Sequence, residues 1–161
     1  MQARDGGRRA DAPAVDNPAE FLEQFESRAL YRPSGTVTFD EGVDRIAAAM
    51  QYAIAAGCTD IVVNTSGLTG FPSPNTFARY EMAVKWASIA GGKLRVGFAA
   101  RPEMLDPRKI GMLMVQNRGV TADVFPTEPE ALRWPDARRS TSPRSKLRAS
   151  GRPSHAQDVQ R

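Results

Sequence analysis

The run Ile61-Val62-Val63 constrains this chain more than any other stretch. Three consecutive branched apolar residues leave no polar side, so a strand built from them has to be covered on both faces. Such burial calls for helices above and below a sheet. The residues that follow, Asn64-Thr65-Ser66-Gly67-Leu68-Thr69-Gly70-Phe71-Pro72-Ser73-Pro74, read as a glycine-marked loop running into a proline-started helix. A strand that passes into a helix N-terminus through such a loop is where α/β proteins place their sites.

The flanking patterns extend this reading. Pro18 with Phe21, Leu22 and Phe25 at helical spacing suits a short helix, and a strand also absorbs them. Ser27 to Arg32 reads as a strand, Pro33-Ser34-Gly35 as a turn, and Thr36-Val37-Thr38-Phe39 as a second strand. Asp40 is placed to cap a helix whose stripe is Val43, Ile46, Ala47, Met50 and Ile54, with Gly57 ending it. A second helix runs from about Pro74 to Ala90 and stops at Gly91-Gly92. It carries two apolar faces, Phe77, Tyr80, Val84 and Ala87 on one, Met82, Trp86 and Ile89 on the other. Leu94 to Ala100 is a strand that leaves extended through Arg101-Pro102. Asp106-Pro107 reads as the capped start of a third helix, stopped at Asn117-Arg118-Gly119. Ala122 to Phe125 is a strand, and Thr127 with Glu130 forms a capping box for a last helix ended by Pro135. Helices alternating with short apolar strands imply βαβ units and a mainly parallel sheet.

Composition narrows the function classes. Of the net charge of +4, residues 135–161 supply seven Lys/Arg against two Asp, so the rest of the chain carries −1. The folded part therefore offers no basic footprint and no specific nucleic-acid contact is expected. The Arg/Ser/Pro tail reads either as a solvated segment or as a nonspecific binder of phosphates on nucleic acid or acidic lipid. Residues 1–16 and 135–161 have the composition of disordered ends, leaving 17–134 as the domain. The lone Cys58 excludes an internal disulfide, no stretch is apolar enough for a transmembrane segment, and a cytoplasmic location is expected. The single histidine, His155, lies in the tail, so no Ser-His or Cys-His pair is available. No metal-ligand spacing occurs, and Gly67 to Gly70 fits neither a dinucleotide fingerprint nor a phosphate loop. Neither a catalytic residue nor a cofactor is expected.

The order of elements and particular residues resemble the STAS family, the fold of bacterial anti-sigma-factor antagonists, and within it a subgroup of unassigned function related to the CRAL-TRIO lipid-binding fold. Arg32 to Phe39 resembles the family's opening strand-Gly-strand, and Ile61 to Leu68 its Asp-Leu-Ser-Gly strand exit. Phe71-Pro72-Ser73 falls where the phosphorylated Asp-Ser-Ser-Gly motif begins. Arg101-Pro102-Glu103, Asn117-Arg118-Gly119 and Glu130 to Trp134 resemble the narrower group. Asn64 stands where an Asp is usual, Pro72 replaces the motif's Asp, and Pro74 and Asn75 replace its second Ser and its Gly. The resemblance implies an α/β fold with a β-α superhelical sheet of about four or five strands. It also implies a non-catalytic regulatory module that binds a protein partner, with a homodimer compatible.

Ser73 admits two roles, helix cap or phospho-acceptor at the positive end of a helix dipole. Asn64, Ser66, Thr69 and Phe71 either shape the loop or form a partner contact with Ser73. Tyr80, Met82 and Trp86 are either core or the lining of a pocket for a small lipophilic ligand, as the resemblance implies. Arg101, Asp106 and Arg118 lie near strand exits or helix ends and have local roles there as well. Cys58 reads as a small packing residue.

Overall fold

Apolar strands and amphipathic helices alternate along the chain and assemble as an α/β layer structure. The computed structural model describes residues 17–18 and 22–140. In order these form β1 (Leu22–Phe25), β2 (Arg28–Tyr31), β3 (Ser34–Thr36), α1 (Phe39–Ala55), β4 (Asp60–Asn64), β5 (Gly67–Thr69), α2 (Thr76–Ala90) and β6 (Arg95–Ala99). A 3-10 turn at Pro102–Met104, α3 (Ile110–Gln116), β7 (Ala122–Phe125) and α4 (Glu128–Ser140) complete them. The main sheet has the order β1-β2-β4-β6-β7, with β1 antiparallel to β2 and every other pairing parallel. A separate two-stranded parallel ribbon joins β3 to β5. This is the α/β class expected from the pattern.

Alternation along the central strands sorts the two faces. Ile61 and Val63 of β4, with Val96 and Phe98 of β6, join a large core under α1, α2 and α3. Val62 points the other way, to a smaller cluster with Leu30, Ala99 and Ala131 beneath α4. Gly97 sits on the α4 side, where a Cβ would stand 3.4 Å from the Trp134 ring. Asp60 is fully buried and paired with Arg95 at 2.6 Å, at the N-terminal end of the sheet. Cys58 is buried in the larger core, and that burial, with Asp60 nearby, pushes its thiol pKa up. It packs as expected of a small apolar residue.

Several boundaries differ from those the sequence suggests. Leu22–Phe25 is a strand, which settles the choice left open there, and Phe21 lies outside the described residues. The expected turn at Pro33 to Gly35 and strand at Thr36 to Phe39 are replaced by β3 at Ser34–Thr36, because those residues pair with β5. Thr38 rather than Asp40 caps α1: Glu41 closes a capping box with it, its carboxylate accepting the Thr38 N–H at 2.7 Å. Asn75 rather than Ser73 caps α2, its side-chain oxygen accepting the Ala78 N–H at 2.8 Å. Asp106 accepts the Arg108 N–H in a turn, and α3 begins only at Ile110, after Lys109 at φ 49°. Pro135 does not end α4. It is buried within the helix, which runs to Ser140, and Asp136 pairs with Arg28 at 2.6 Å. Of the expected disordered ends, 135–140 instead continues α4, while 1–16 and 141–161 lie outside the described residues, as does His155. Gly57, Gly91 and Gly119 adopt the positive φ that a helix-ending glycine supplies.

Candidate functional site

The strand exits gather on the side where β4 and β6 release their chains toward α2 and the 3-10 turn. There Asn64 is bound into a local network. Its side-chain oxygen accepts from the Ser66 N–H at 3.1 Å and the Ser66 hydroxyl at 2.6 Å. Its amide N–H₂ donates to Glu128 Oε2 at 2.6 Å. Glu128 also accepts a forked pair of bonds from Arg32, whose other amine reaches Glu23 at 2.7 Å. The Arg32 fork holds the Glu128 carboxyl below the usual carboxylate range; partial burial opposes this, and the Asn64 amide assists it. The same carboxylates raise the Arg32 pKa further. Asn64 and Ser66 are thus bound within this network.

The network accounts for the amide at position 64. An Asp there would set a second carboxylate against Glu128, where the Asn offers a donor. Thr69 is likewise occupied, its hydroxyl 3.2 Å from that of Thr36 across the β3–β5 ribbon. Close approach across that ribbon fixes its glycines: a Cβ on Gly67 would lie 2.9 Å from the Pro33 carbonyl oxygen, and one on Gly70 2.7 Å from that of Val37. Gly70 also has φ 102°, which L side chains avoid. The loop therefore carries a strand that its Gly67-Leu68-Thr69-Gly70 sequence did not announce.

Beyond the ribbon, the loop turns its apolar residues inward. Leu68 is buried, and Phe71 meets Phe39 edge-on with ring centroids 5.7 Å apart. These two form one wall of a cavity of about 120 Å³ among α1, α2, α3 and the 101–109 segment. Met82 and Trp86 form its floor, with Trp86 stacked on Phe98 at 4.9 Å and donating its indole N–H to the Val43 carbonyl at 3.2 Å. Arg79, Arg101, Asp106 and Lys109 supply the polar rim.

Of the sequence candidates, the structure therefore brings Phe71, Met82 and Trp86 together at one cavity and leaves Asn64, Ser66 and Thr69 in hydrogen bonds of their own. Tyr80 is not among the lining residues: it is 45% exposed on the outer side of α2, with the Arg118 guanidinium 4.8 Å over its ring. Ser73 is exposed at the loop's end, two residues before the cap, and its hydroxyl lies 3.0 Å from Arg79 Nη2. Arg101 and Asp106 both line the cavity; Arg118 is not among its lining residues and donates to the Met114 carbonyl near the end of α3.

Arg79 is the residue that sequence reading missed. It occupies the buried side of α2, one turn before Met82 and Ala83, two before Trp86 and three before Ala90. A cation at the head of an otherwise apolar stripe was the available signal. Its Nε donates to the Pro74 carbonyl at 3.1 Å and its Nη2 reaches Ser73 and, at 3.4 Å, the Met104 carbonyl. It has no carboxylate partner among the described residues. By contrast, Arg101 pairs with Glu103 at 3.3 Å and Lys109 with Asp123 at 2.8 Å. Among the described residues no cluster of His, Cys, Asp or Glu suits a metal ion, and no helix is long and apolar enough to cross a membrane.

No protein-family model and no curated protein matches the chain. Among solved structures it is similar to the anti-sigma factor antagonist SpoIIAA in its unphosphorylated form, at 22% identity over 73% of this chain and 96% of that one, with a TM-score of 0.38. It is also similar to the Bacillus cell fate determinant SpoIIAA in the phosphorylated form, at 18% identity over 69% and 94%, with a TM-score of 0.35. These are distant likenesses of fold. They assign no partner and no modification.

Proposed function

We propose that this protein is a non-catalytic regulatory module that binds a protein partner through the outer side of α2. One observation carries the reading. Phe77, Tyr80 and Val84, spaced at i, i+3 and i+7, are 67%, 45% and 41% exposed on a helix whose other side is already buried. Large apolar side chains set in one row on a surface helix mark an interaction site more often than a solvated face. Arg118 adds a charge preference. Its guanidinium lies on the Tyr80 ring with no carboxylate partner among the described residues, so a partner presenting apolar side chains beside an acidic one fits.

Ser73 extends the proposal to control. It is exposed and already hydrogen-bonded to Arg79, and a phosphate placed there gains that guanidinium as a counter-charge just ahead of α2. The test of binding places a photo-crosslinking residue at Phe77 or Val84, with Tyr52 on α1 as the exposed control position. The expected result is one defined product at the α2 positions alone. The purified product partner should then bind the wild-type chain and lose at least about tenfold affinity to Phe77→Ser with Arg118→Glu. Equal crosslinking at all three positions removes the proposal; products of twice the chain's mass identify a second copy as the partner. Treatment with the cognate kinase followed by mass spectrometry tests Ser73, and an unmodified Ser73 removes the switch.

A further inference from the structure

We propose that the cavity beneath Phe71 binds a small carboxylate with a compact apolar body, the carboxylate meeting Arg79. This site lies on the inner side of α2, opposite the surface invoked above, and does not rest on that reading. The floor is apolar and buried: Val43, Ile46, Leu68, Met82, Trp86 and Phe98. A floor of that kind rewards an apolar ligand body. At about 10–15 Å³ for each water-sized occupant, 120 Å³ accommodates roughly ten non-hydrogen atoms.

The rim selects the charge. Three cations and one anion, Arg79, Arg101, Lys109 and Asp106, border the opening. Two of the cations are already committed to carboxylates of the protein, at Glu103 and Asp123. Arg79 is not. Its Nε and Nη2 hold the Pro74, Ser73 and Met104 oxygens, which fixes the guanidinium in place, while Nη1 makes no hydrogen bond among the described residues. A guanidinium oriented by the fold and beside an apolar cavity is matched by an anion, and planar carboxylate is the commonest anion for that fork. Gly111 of α3 lies beside this pair: a Cβ there would stand 3.6 Å from the Met82 methyl and 3.8 Å from the Arg79 stem, at ordinary contact distance. An amine ligand of the same shape meets an uncompensated positive charge, and an alcohol offers Nη1 a neutral acceptor without a counter-charge or a second oxygen for the fork.

Octanoate, with ten non-hydrogen atoms, is the matching probe. Isothermal titration and Trp86 fluorescence of the full chain are compared for octanoate, 1-octanol and octylamine. Octanoate is expected to bind with a dissociation constant of about 1 mM or tighter, at least tenfold tighter than the alcohol, with the amine weakest. Arg79→Gln is expected to abolish the preference for acid over alcohol while leaving alcohol binding within about twofold; Arg79→Lys, which keeps the charge, is expected to retain part of it. Tyr52→Ala, exposed on α1 and outside the cavity lining, is expected to leave the order unchanged. Equal binding of the three probes by the wild type, no binding of octanoate, or a preference that survives Arg79→Gln overturns the proposal. The wild-type comparison decides the matter even where Arg79→Gln disturbs the loop it holds.

Discussion

Three helices cover one face of the sheet and leave a cavity of about 120 Å³ among them, whereas the single helix α4 covers the other so closely that a Cβ on Gly97 would reach the Trp134 ring. More covering structure therefore accompanies looser packing. The reason is geometric. A single helix lies along the sheet and can seat its residues directly on the strands, and Ala131 and Trp134 do so beside the Cβ-less Gly97. The helices α1, α2 and α3 must also pack on one another, and two glycines of the cavity lining, Gly111 where α3 meets α2 and Gly42 where α1 meets the Leu68–Phe71 loop, keep side-chain volume out of the space between them. The close-packed face resists change, and the open face tolerates it or takes up a ligand.

Removing the large side chain from the tight face should have the largest effect. Trp134 is 9% exposed and lies tilted against Phe125 with centroids 6.1 Å apart. Trp134→Ala is expected to cost about 3–5 kcal/mol in urea unfolding. A loss under about 1 kcal/mol would mean that α4 is a dispensable cover and would collapse the contrast between the faces.

The polar end of α4 comes next. Asn64→Asp sets a second carboxylate near Glu128, with only Arg32 to offset the pair. Two adjacent carboxylates cannot both ionise freely, so the pair has a folded pKa raised above its unfolded values. The penalty is thus fully expressed at neutral pH and relieved as pH falls through that raised value. A deficit of about 1–3 kcal/mol at pH 7 that shrinks toward pH 5 is expected. The wild type behaves in the opposite sense. Glu128 has a lowered pKa, so its contribution is present above the ordinary carboxyl value of 4.5 and is lost as pH falls below it. A deficit in Asn64→Asp that is flat across pH would show that the network does not depend on charge.

Gly97→Val probes the tight face by addition. Its Cβ would stand 3.4 Å from Trp134 and 3.5 Å from the Ala131 carbonyl oxygen, and the two further methyl groups have to displace the ring. Overpacking of about 1–3 kcal/mol is expected by the same unfolding measurement. A neutral outcome would show that α4 can lift away and that its closeness is not a constraint.

What was legible in the sequence followed from burial and periodicity. Ile61 to Val63 announces a covered strand and Ala122 to Phe125 a short one, and the stripe from Val43 to Met50 gives α1 its inner face. What was not legible depended on partners distant in sequence. Ser34–Thr36 has no strand pattern of its own and becomes β3 only because Gly67–Thr69 lies beside it, and Pro135 stays helical because it is buried under tertiary contacts. The choice of Asn75 over Ser73 as cap was local, yet the Ser-Pro-Asn run offers two equivalent cap residues and only the structure selects one. At the site, Met82 and Trp86 were readable as one face of α2, but which of its two apolar faces was buried was not. Arg79 stood in the buried row, and its meaning appeared only with Ser73, Pro74 and Met104 around it.

The smallest expected effect has the opposite sign and separates the two faces most directly. Gly42 lies inside α1 on the cavity wall, and a Cβ there would meet Leu68, Val37 and Phe71 at 3.6, 3.8 and 3.9 Å, all ordinary contact distances. Alanine also relieves the entropic disadvantage of glycine in a helix. Gly42→Ala is therefore expected to stabilise the chain by about 0.5–1 kcal/mol, a rise of a few degrees in Tm. Because the new methyl group occupies cavity space, the same variant should bind octanoate more weakly even as it melts higher. That pairing distinguishes a filled site from a damaged one, since a damaged fold loses both. A lower Tm would mean that the wall at Gly42 has no room, and the contrast between an open face and a closed one would then fail on the open side.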